Sequence, residues 1–338
     1  MSFKRYDTDD FVVSSDAITS TLWSTGNPIL TEFFTSSVQA AGSSGNFYLS
    51  VYQTASLLNN STTQFEIAYA DILGSGSAFY NTAVPGKTPS LSTYGQYRAL
   101  ILEDENKSFN FGTGNNIHTA TNFWVISMDR ARYKESLFPG SLNLTLSGSG
   151  GTIHLTDNSS DVTVNTFIGS SRVYQLVSGS NGTSGTLANN GFVPGSGSYG
   201  LVFPELGTIL LNPQAISQSI EVDTVRTSNS ANGVNNATLY DSIVLGSNFK
   251  LNSQETITSD YVFTRARNSE FNYTQNPTFI SGSTGEVIYN NFINNPQTYI
   301  TTIGMYNDTN ELLAVAKLSR PLLKDFTKEA LVRVKLDF

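Results

Sequence analysis

The sequence predicts an all-β protein made of antiparallel β-sandwich domains, with long loops rich in Ser, Gly and Asn and few short helices. Residues 141–147, SLNLTLS, alternate apolar and polar side chains, so Leu142, Leu144 and Leu146 share one face of a strand. Residues 122–128, NFWVISM, are apolar on both faces, which is typical of a strand in the middle of a sheet.

The C-terminal region contains the strongest strand pattern. Side chains at alternate positions of 332–338 are apolar, and these are Val332, Val334, Leu336 and Phe338. Residues 298–305 and 312–318 are two further apolar runs on either side of YNDTNE at 306–311. Because Asn and Asp tolerate the left-handed backbone of tight turns, these two runs predict a β-hairpin.

Evidence for helices is weak and confined to three short segments. Residues 29–38 and 213–219 each have room for a short helix. Residues 321–330 are the third candidate, in which Ser319 caps the N-terminus and Pro321 lies near the first turn. None of the three is long enough to change the fold class.

Changes in composition divide the chain into four regions. These are an N-terminal arm at 1–45, a β-sandwich region at 46–147, a middle β domain at 148–256 and a C-terminal β region at 257–338. The middle domain is inserted into the first sandwich or follows it, and the C-terminal region is expected to complete that sandwich. Residues 178–200, almost wholly Ser, Gly, Asn and Thr, predict a long flexible loop.

Composition excludes several classes of function. The 338-residue chain has a formal net charge of -8, whereas general binding to nucleic acid needs a basic surface. It contains no cysteine, which excludes disulfides, thiolate metal sites and a cysteine nucleophile and suits folding in a reducing cytosol. No apolar run is long enough to span a bilayer and no secretory signal is visible, so we expect no membrane insertion.

One short motif resembles a phosphate-binding loop but is incomplete. The triplet Gly86-Lys87-Thr88 lacks the earlier glycine that such a loop requires, because Asn81 stands at that position. The loop must also lead into a helix, and Pro89 follows the triplet at once. We therefore expect a turn at this place.

Other residues with catalytic or metal-binding chemistry are isolated. His118 and His154 lack the neighbouring partners that a zinc site or a serine triad would need. Acidic runs at 103–105 and 308–311 could supply oxygens to Ca²⁺, but their spacing fits no calcium loop and turns favour the same residues. Paired carboxylates for glycoside hydrolysis would leave no mark in the sequence. We predict no catalytic residue, no metal site and no cofactor.

Cations are concentrated at three places in this acidic chain. Arg130, Arg132 and Lys134 alternate, so they share one face if the strand that starts at Asn122 continues through Tyr133. Arg265 and Arg267 repeat the same spacing. Residues 317–338 contain six Lys and Arg but only three Asp and Glu. Such asymmetry can orient subunits against each other's acidic surfaces, although solvated strand faces would produce the same pattern.

These observations predict a set of contact residues for assembly. The set is Arg130, Arg132, Lys134, Arg265, Arg267, Arg320, Arg333, Lys335 and Phe338. A terminal strand that ends on an apolar residue can also add to the sheet edge of a neighbouring subunit.

Five stretches of the chain resemble virion structural proteins of the tail and baseplate type from large contractile-tailed bacteriophages, particularly those of marine cyanobacteria. They are DRARYKESLFPGSLNLTLSG, TPSLSTYGQYRALIL, GLVFPELGTILLNP, RARNSEFNYTQNPTF and YITTIGMYNDTNELLAVAKLSRPLLKDFTKEALVRVKLDF. The resemblance implies a non-enzymatic subunit that is assembled in the host cytoplasm and located in the virion. Its partners would be other virion structural proteins or further copies of itself.

Three alternatives to a tail or baseplate subunit remain open. A neck or capsid decoration protein would differ mainly in its copy number per particle. A receptor- or glycan-binding module of a fibre would form trimers and expose an aromatic patch, but the sequence contains no heptads or fibre repeats that favour it. A polysaccharide hydrolase would need two carboxylates in a cleft.

Overall fold

The computed structural model describes residues 4–30, 32–35, 48–54, 61–76, 88–186, 188–222, 234–273 and 276–337. The chain forms two compact units. The central unit contains residues 18–255, and the terminal unit combines residues 1–17 with residues 256–338. The two ends of the chain therefore belong to the same unit.

Antiparallel strands dominate both units, which confirms the predicted all-β class. The strands are β1 (Phe11–Thr21), β2 (Phe34–Thr35), β3 (Leu49–Tyr52), β4 (Thr63–Asp71), β5 (Phe109–Thr113), β6 (Asn116–Ala120), β7 (Asn122–Met128), β8 (Ser136–Leu137), β9 (Asn143–Gly148), β10 (Gly151–Asp157), β11 (Thr166–Ile168), β12 (Ser171–Ser180), β13 (Thr183–Ser184), β14 (Gly200–Phe203), β15 (Thr208–Leu211), β16 (Phe249–Lys250), β17 (Asn252–Ala266), β18 (Thr298–Tyr306), β19 (Leu312–Lys324) and β20 (Ala330–Asp337). The helices among the described residues are α1 (Pro89–Tyr97), α2 (Pro213–Ile216), α3 (Val234–Gly246) and α4 (Asn290–Asn294).

A single large antiparallel sheet organises the central unit. Its strand order is β16-β9-β10-β12-β14-β15-β7-β4-β3-β2, and β11 and β13 pair with β12. Strand β7 lies between β15 and β4, where Trp124, Ile126 and Met128 enter one apolar cluster and Phe123 and Val125 enter another. The prediction of a central strand buried on both faces is thereby confirmed.

Strand β16, at one end of the sheet, contacts β4, near the other end, within the larger apolar cluster. The Phe65 ring of β4 and the Phe249 ring of β16 have centroids 5.2 Å apart, although these strands are distant in the sheet order. Trp23 packs against both rings and donates a hydrogen bond from Nε1 to the Phe249 carbonyl at 3.0 Å. Helix α3 covers the same cluster with Leu239 and Ile243. Most of the apolar burial among the described residues occurs in this unit.

The opposite face of the sheet is covered by α1 and by the hairpin of β5 and β6. Tyr94 of α1, Phe109 of β5 and Phe123 of β7 form one aromatic group, with Phe109 and Phe123 centroids 4.8 Å apart. The expectation that Pro89 excludes a helix after Thr88 is wrong, because α1 begins at Pro89 with Thr88 as its N-cap. Proline is favoured at the first position of a helix, where its missing N–H costs nothing.

The predicted SLNLTLS strand is present as β9, and its three leucines are buried in the larger cluster. The Gly- and Ser-rich stretch after it is the tight turn between β9 and β10, which pair from Gly148↔Gly151 onward. A Cβ at Gly150 would lie 1.6 Å from the Gln218 carbonyl oxygen. Glycine is therefore required here for close packing of backbones within one unit.

The stretch at 178–200 contains regular structure rather than the predicted loop alone. Strand β12 extends to Ser180, and β13 pairs with its end. The Asn212 side chain donates hydrogen bonds at 2.7 Å to the carbonyls of Ser196 and Ser198. Side chains from distant positions thus fix backbone that lacks apolar residues of its own.

The terminal unit is a small two-layer structure. Strands β1, β17 and β20 form one sheet in that order, and β18 pairs with β19 in a separate hairpin. The predicted hairpin is confirmed, and Asn310 in its turn has φ +63°. The two layers meet at Val262, Ile303, Met305 and Val334, which are the buried members of a third apolar cluster.

Of the three predicted helices, one is present among the described residues. Pro213–Ile216 forms α2, which lies within the predicted segment 213–219. In the predicted segment 321–330, Pro321 lies inside β19, because pairing of Leu322–Lys324 with β18 outweighs the local helix signal. Pro321 itself falls at the register shift between Ile300 and Thr302 of β18, and such an irregularity tolerates proline. In the segment 29–38, the described residues show a β-bridge at Ile29 and strand β2, and residues 31 and 36–38 lie outside the described range.

The boundaries of the two units differ from the boundaries of the regions inferred from composition. The inferred boundary between residues 147 and 148 falls inside the β9–β10 hairpin of the central unit. Residues 257–338 join residues 1–17 in the terminal unit. Composition changes at 147–152 because a tight hairpin needs small residues, and a hairpin turn is no domain boundary.

Candidate assembly interface

The cation cluster at residues 130–134 does not continue the strand before it. Strand β7 ends at Met128, and Arg130–Arg132 form a single 3-10 turn capped by Asp129, whose carboxylate accepts the Ala131 N–H at 2.8 Å. The predicted strand through Tyr133, with three cations on one face, is therefore wrong. An Asp at an N-cap position competes effectively with strand extension, because its carboxylate satisfies turn N–H groups.

Contacts within the central unit occupy two of these three cations. The Arg130 guanidinium donates to the backbone carbonyls of Tyr133 and Lys134, and it lies 4.6 Å from the centroid of the Tyr133 ring. Lys134 Nζ lies 2.7 Å from a carboxylate oxygen of Glu255. Arg132 Nε is buried and has no hydrogen-bond partner among the described residues. This corner stabilises its own turn, whatever else it contacts.

The structure brings together three other predicted cations. In the antiparallel register of β17 and β20, Arg265 faces Leu331, Phe263 faces Arg333, and Tyr261 faces Lys335. Directly paired residues lie on the same face of a sheet, and so do residues two positions apart. Arg265, Arg333 and Lys335 therefore lie on one face, opposite the face that buries Val262 and Val334. We call these three side chains, with Tyr261 and Phe263, the cationic face.

Electrostatic contacts differ among the members of the cationic face. Lys335 pairs with Asp337 at 2.9 Å, and this contact raises the pKa of Lys335, whereas hydrogen bonds from Ser259 and Lys335 lower the pKa of Asp337. The Arg333 guanidinium lies 5.2 Å from the Tyr261 ring centroid. Among the described residues, no carboxylate lies within ion-pair distance of Arg265 or Arg333.

The remaining predicted contact residues are dispersed. Arg267 follows the end of β17, and its backbone N–H donates to Glu270 Oε2 at 2.8 Å. This hydrogen bond is the main reason why the pKa of Glu270 is lowered, with Lys4 adding to it. Arg320 is an exposed residue of β19, and Phe338 lies outside the described residues.

Exposed apolar side chains mark the terminal unit more strongly than its charges do. Of the 26 large apolar side chains that are exposed in the described part of the chain, 15 belong to this unit, although it contains only about a third of the described residues. Of the 50 buried apolar residues, it supplies six. The most exposed members include Val13, Tyr299, Leu313 and Val315. Sequence reasoning missed this surface, because strand alternation shows which residues share a face but not which face is covered.

The isolated polar motifs do not gather into a metal-binding group within the described residues. No group of three or more His, Cys, Asp or Glu among the described residues is arranged to hold a metal ion. His154 Nδ1 forms a hydrogen bond with the Thr145 hydroxyl at 3.0 Å, and partial burial lowers the pKa of His118. In the turn at 306–311, the Asn307 side chain accepts the N–H groups of Thr309 and Glu311. Residues 81–87 of the incomplete phosphate loop lie outside the described range.

Fold and surface together define an all-β chain with one well-packed unit and one poorly packed, apolar and partly cationic unit. Comparison of the chain with protein-family models, with curated proteins and with solved structures gave no match. None of the helices in the described ranges combines the length and the apolar character needed to cross a membrane.

Proposed function

We propose that this chain is a non-enzymatic structural subunit of a bacteriophage virion, located in the tail or baseplate, which acts through contacts with neighbouring subunits. The observation that carries the proposal is the terminal unit, in which most of the described large apolar side chains are exposed or only partly buried. The resemblance of five sequence stretches to tail and baseplate proteins supplies the proposed location.

The small core of the terminal unit favours a subunit that gains burial on assembly. Full burial of one large apolar side chain stabilises a fold by about 1.5–3 kcal/mol, and small domains with few such residues are marginally stable. Among its described residues the terminal unit buries only six that are apolar, and two of these are alanines. Obligate subunit interfaces resemble a protein core divided in half, which is the kind of surface that this unit presents.

The cationic face adds a second kind of contact. Arginine and tyrosine are enriched at the centres of protein interfaces, because both combine a flat apolar surface with hydrogen-bond donors. Arg265 and Arg333 have no carboxylate in ion-pair range within the described residues, and Arg333 lies over Tyr261. We therefore propose that an acidic surface of a neighbouring subunit approaches this face.

The proposal is tested by measuring the chain in particles. Quantitative mass spectrometry of purified phage particles should detect it at a small fixed copy number that matches the rotational symmetry of a tail. A copy number as high as that of the main capsid or tail-tube subunits would place it in those structures instead. Absence of the chain from particles would overturn the proposal and return attention to the polysaccharide hydrolase.

A matched pair of variants tests the terminal unit in particular. Leu313, 68% exposed in the terminal unit, and Leu245, 67% exposed in the central unit, are each changed to Ser. Complementation with Leu313→Ser should give particles that lack the chain, because an interface side chain is lost. Leu245→Ser should be incorporated normally, and both variants should retain the circular dichroism of the parent. Equal incorporation of the two variants would remove the terminal unit from the role proposed here.

A further inference from the structure

The outer edge of β18 is an unpaired strand edge. Strands β18 and β19 form a sheet of two, so the edge of β18 that faces away from β19 has no partner among the described strands. A two-stranded hairpin has two such edges, and each presents a row of backbone N–H and C=O groups that can pair with another strand.

Strands at the other sheet edges of the terminal unit contain charged residues, which oppose pairing. Asp16 lies in β1, Lys317 and Arg320 lie in β19 together with Pro321, and Arg333 lies in β20. Charged side chains and prolines at edges are the usual means by which β proteins prevent association of identical chains. These three strands are therefore protected.

Strand β18 lacks both of these protections, although its pairing with β19 shifts register between Ile300 and Thr302 and between Met305 and Tyr306. Its nine residues, TYITTIGMY, include no charged residue and no proline, and most are β-branched or aromatic. Residues of this kind have the highest preference for strands. Tyr299, Thr301 and Thr302 are exposed, whereas Ile303 and Met305 are buried against the three-stranded sheet of the same unit. The strand is held in place by its inner face, and its outer edge is open.

We propose that β18 pairs antiparallel with β18 of a second copy of this chain, which joins two hairpins into one four-stranded sheet with the order β19-β18-β18-β19. Two identical strands that meet in this way are related by a two-fold axis, so each presents the same edge to the other. This proposal rests on the proposed function, because it names one partner of the terminal unit.

Charge explains why the partner is a second copy. Identical edges bring identical charges together, and like charges directly opposite each other destabilise a strand pair. Pairing of β19 with itself would bring cations towards cations, whereas β18 contributes no charge to either side. The exposed apolar side chains of the hairpin, among them Leu313 and Val315, then lie on a sheet of twice the width.

A lysine placed on the β18 edge tests the pairing. Light scattering should give twice the 36.7 kDa chain mass for the parent protein. Thr301→Lys places two like charges in the shared sheet and should weaken dimerisation by about tenfold or more. Ser319→Lys, at an exposed position of β19, adds the same charge away from the proposed edge and should leave the dimer intact. A monomeric parent, or equal masses for both variants, would overturn the proposal.

A single cysteine identifies the paired strands directly, because the chain contains none of its own. Thr302 is the middle residue of β18 and lies next to its own copy in a symmetric antiparallel pair. Cα atoms of paired residues are then within the range that a disulfide can join. Thr302→Cys should form a covalent dimer under mild oxidation and Ser319→Cys should not. Cross-linking of neither variant, or of both equally, would exclude this register.

The outcomes separate this proposal from the proposed function. A monomeric chain that still enters particles would exclude β18 pairing and leave the structural role in place. A chain that dimerises through β18 but is absent from particles would support the β18 pairing and overturn the proposed structural role. Dimerisation that persists in Thr301→Lys would indicate that two copies meet through another surface, and it would overturn the pairing.

Discussion

Lys324 shows how one charged residue can hold a segment of the terminal unit. Its side chain is 1% exposed, and Nζ donates to the carbonyls of Asn268 and Glu270 and to the Asn272 side-chain oxygen. Burial lowers the pKa of Lys324, while the carboxylates of Glu270 and Asp325 act in the opposite direction. The ammonium group thus ties the end of β19 to the segment 268–272.

Replacement of Lys324 by Met is expected to release that segment. Loss of the donors leaves acceptors without partners, which should lower the free energy of unfolding by about 1–3 kcal/mol. Urea unfolding would measure the change, and hydrogen exchange at 268–272 would locate it. Lys328→Met is the control, since Lys328 is exposed and its ion pair with Asp325 contributes at most about 1 kcal/mol. Equal losses of unfolding free energy in the two variants would contradict the proposed role of Lys324 in holding the segment 268–272.

Single residues also explain why the Gly- and Ser-rich stretches have regular structure. Gly150 packs where no Cβ fits, and Asn212 binds backbone carbonyls sixteen and fourteen residues away. The sequence shows glycine and asparagine at these positions but not the partners that make them necessary. Those partners lie on other strands, and folding alone brings them together.

Among the elements, strands with strict alternation were predicted correctly. Leu142, Leu144 and Leu146 of β9 are buried together, and β20 alternates around Val334 as expected. Alternation is reliable because one face of a strand must meet the core in any fold of this class. The prediction of a helix at 321–330 is wrong. Its cap and proline signals come from neighbouring residues, whereas the contact that prevails is the pairing of β19 with the more distant β18.

The cationic face yields a prediction for a pair of strands. Arg333→Glu removes the contact with Tyr261, which at an exposed site contributes about 0.5–1 kcal/mol, so the fold should persist. The reversed charge should nevertheless block incorporation into particles. Lys328→Glu makes the same charge change at an exposed residue outside β17 and β20, and it should be tolerated. Mass spectrometry of purified particles would measure how much of each variant is incorporated. Normal incorporation of Arg333→Glu would show that the cationic face is not part of the interface.

For the whole molecule, the two units are expected to differ in stability. In the described part of the chain, the central unit contains 44 of the 50 buried apolar residues and the terminal unit contains six. Stability follows buried apolar area, so the terminal unit should unfold at a lower urea concentration. Hydrogen exchange followed through a urea titration should show β18–β20 losing protection before β7, β9 and β15. Simultaneous loss of protection in all six strands would contradict this expectation.

The sequence by itself determined the all-β class, the central position of β7, the alternation of β9 and β20 and the hairpin of β18 and β19. Each of these depends on a pattern with a period of two or on turn residues, and both can be recognised within a few neighbouring positions. Only the tertiary structure decided that the two chain ends form one unit, that Arg265, Arg333 and Lys335 share a face, and that one edge of β18 has no partner among the described strands. These features depend on which distant strands pair, because pairing is what brings residues far apart in the chain to one face or leaves an edge without a partner.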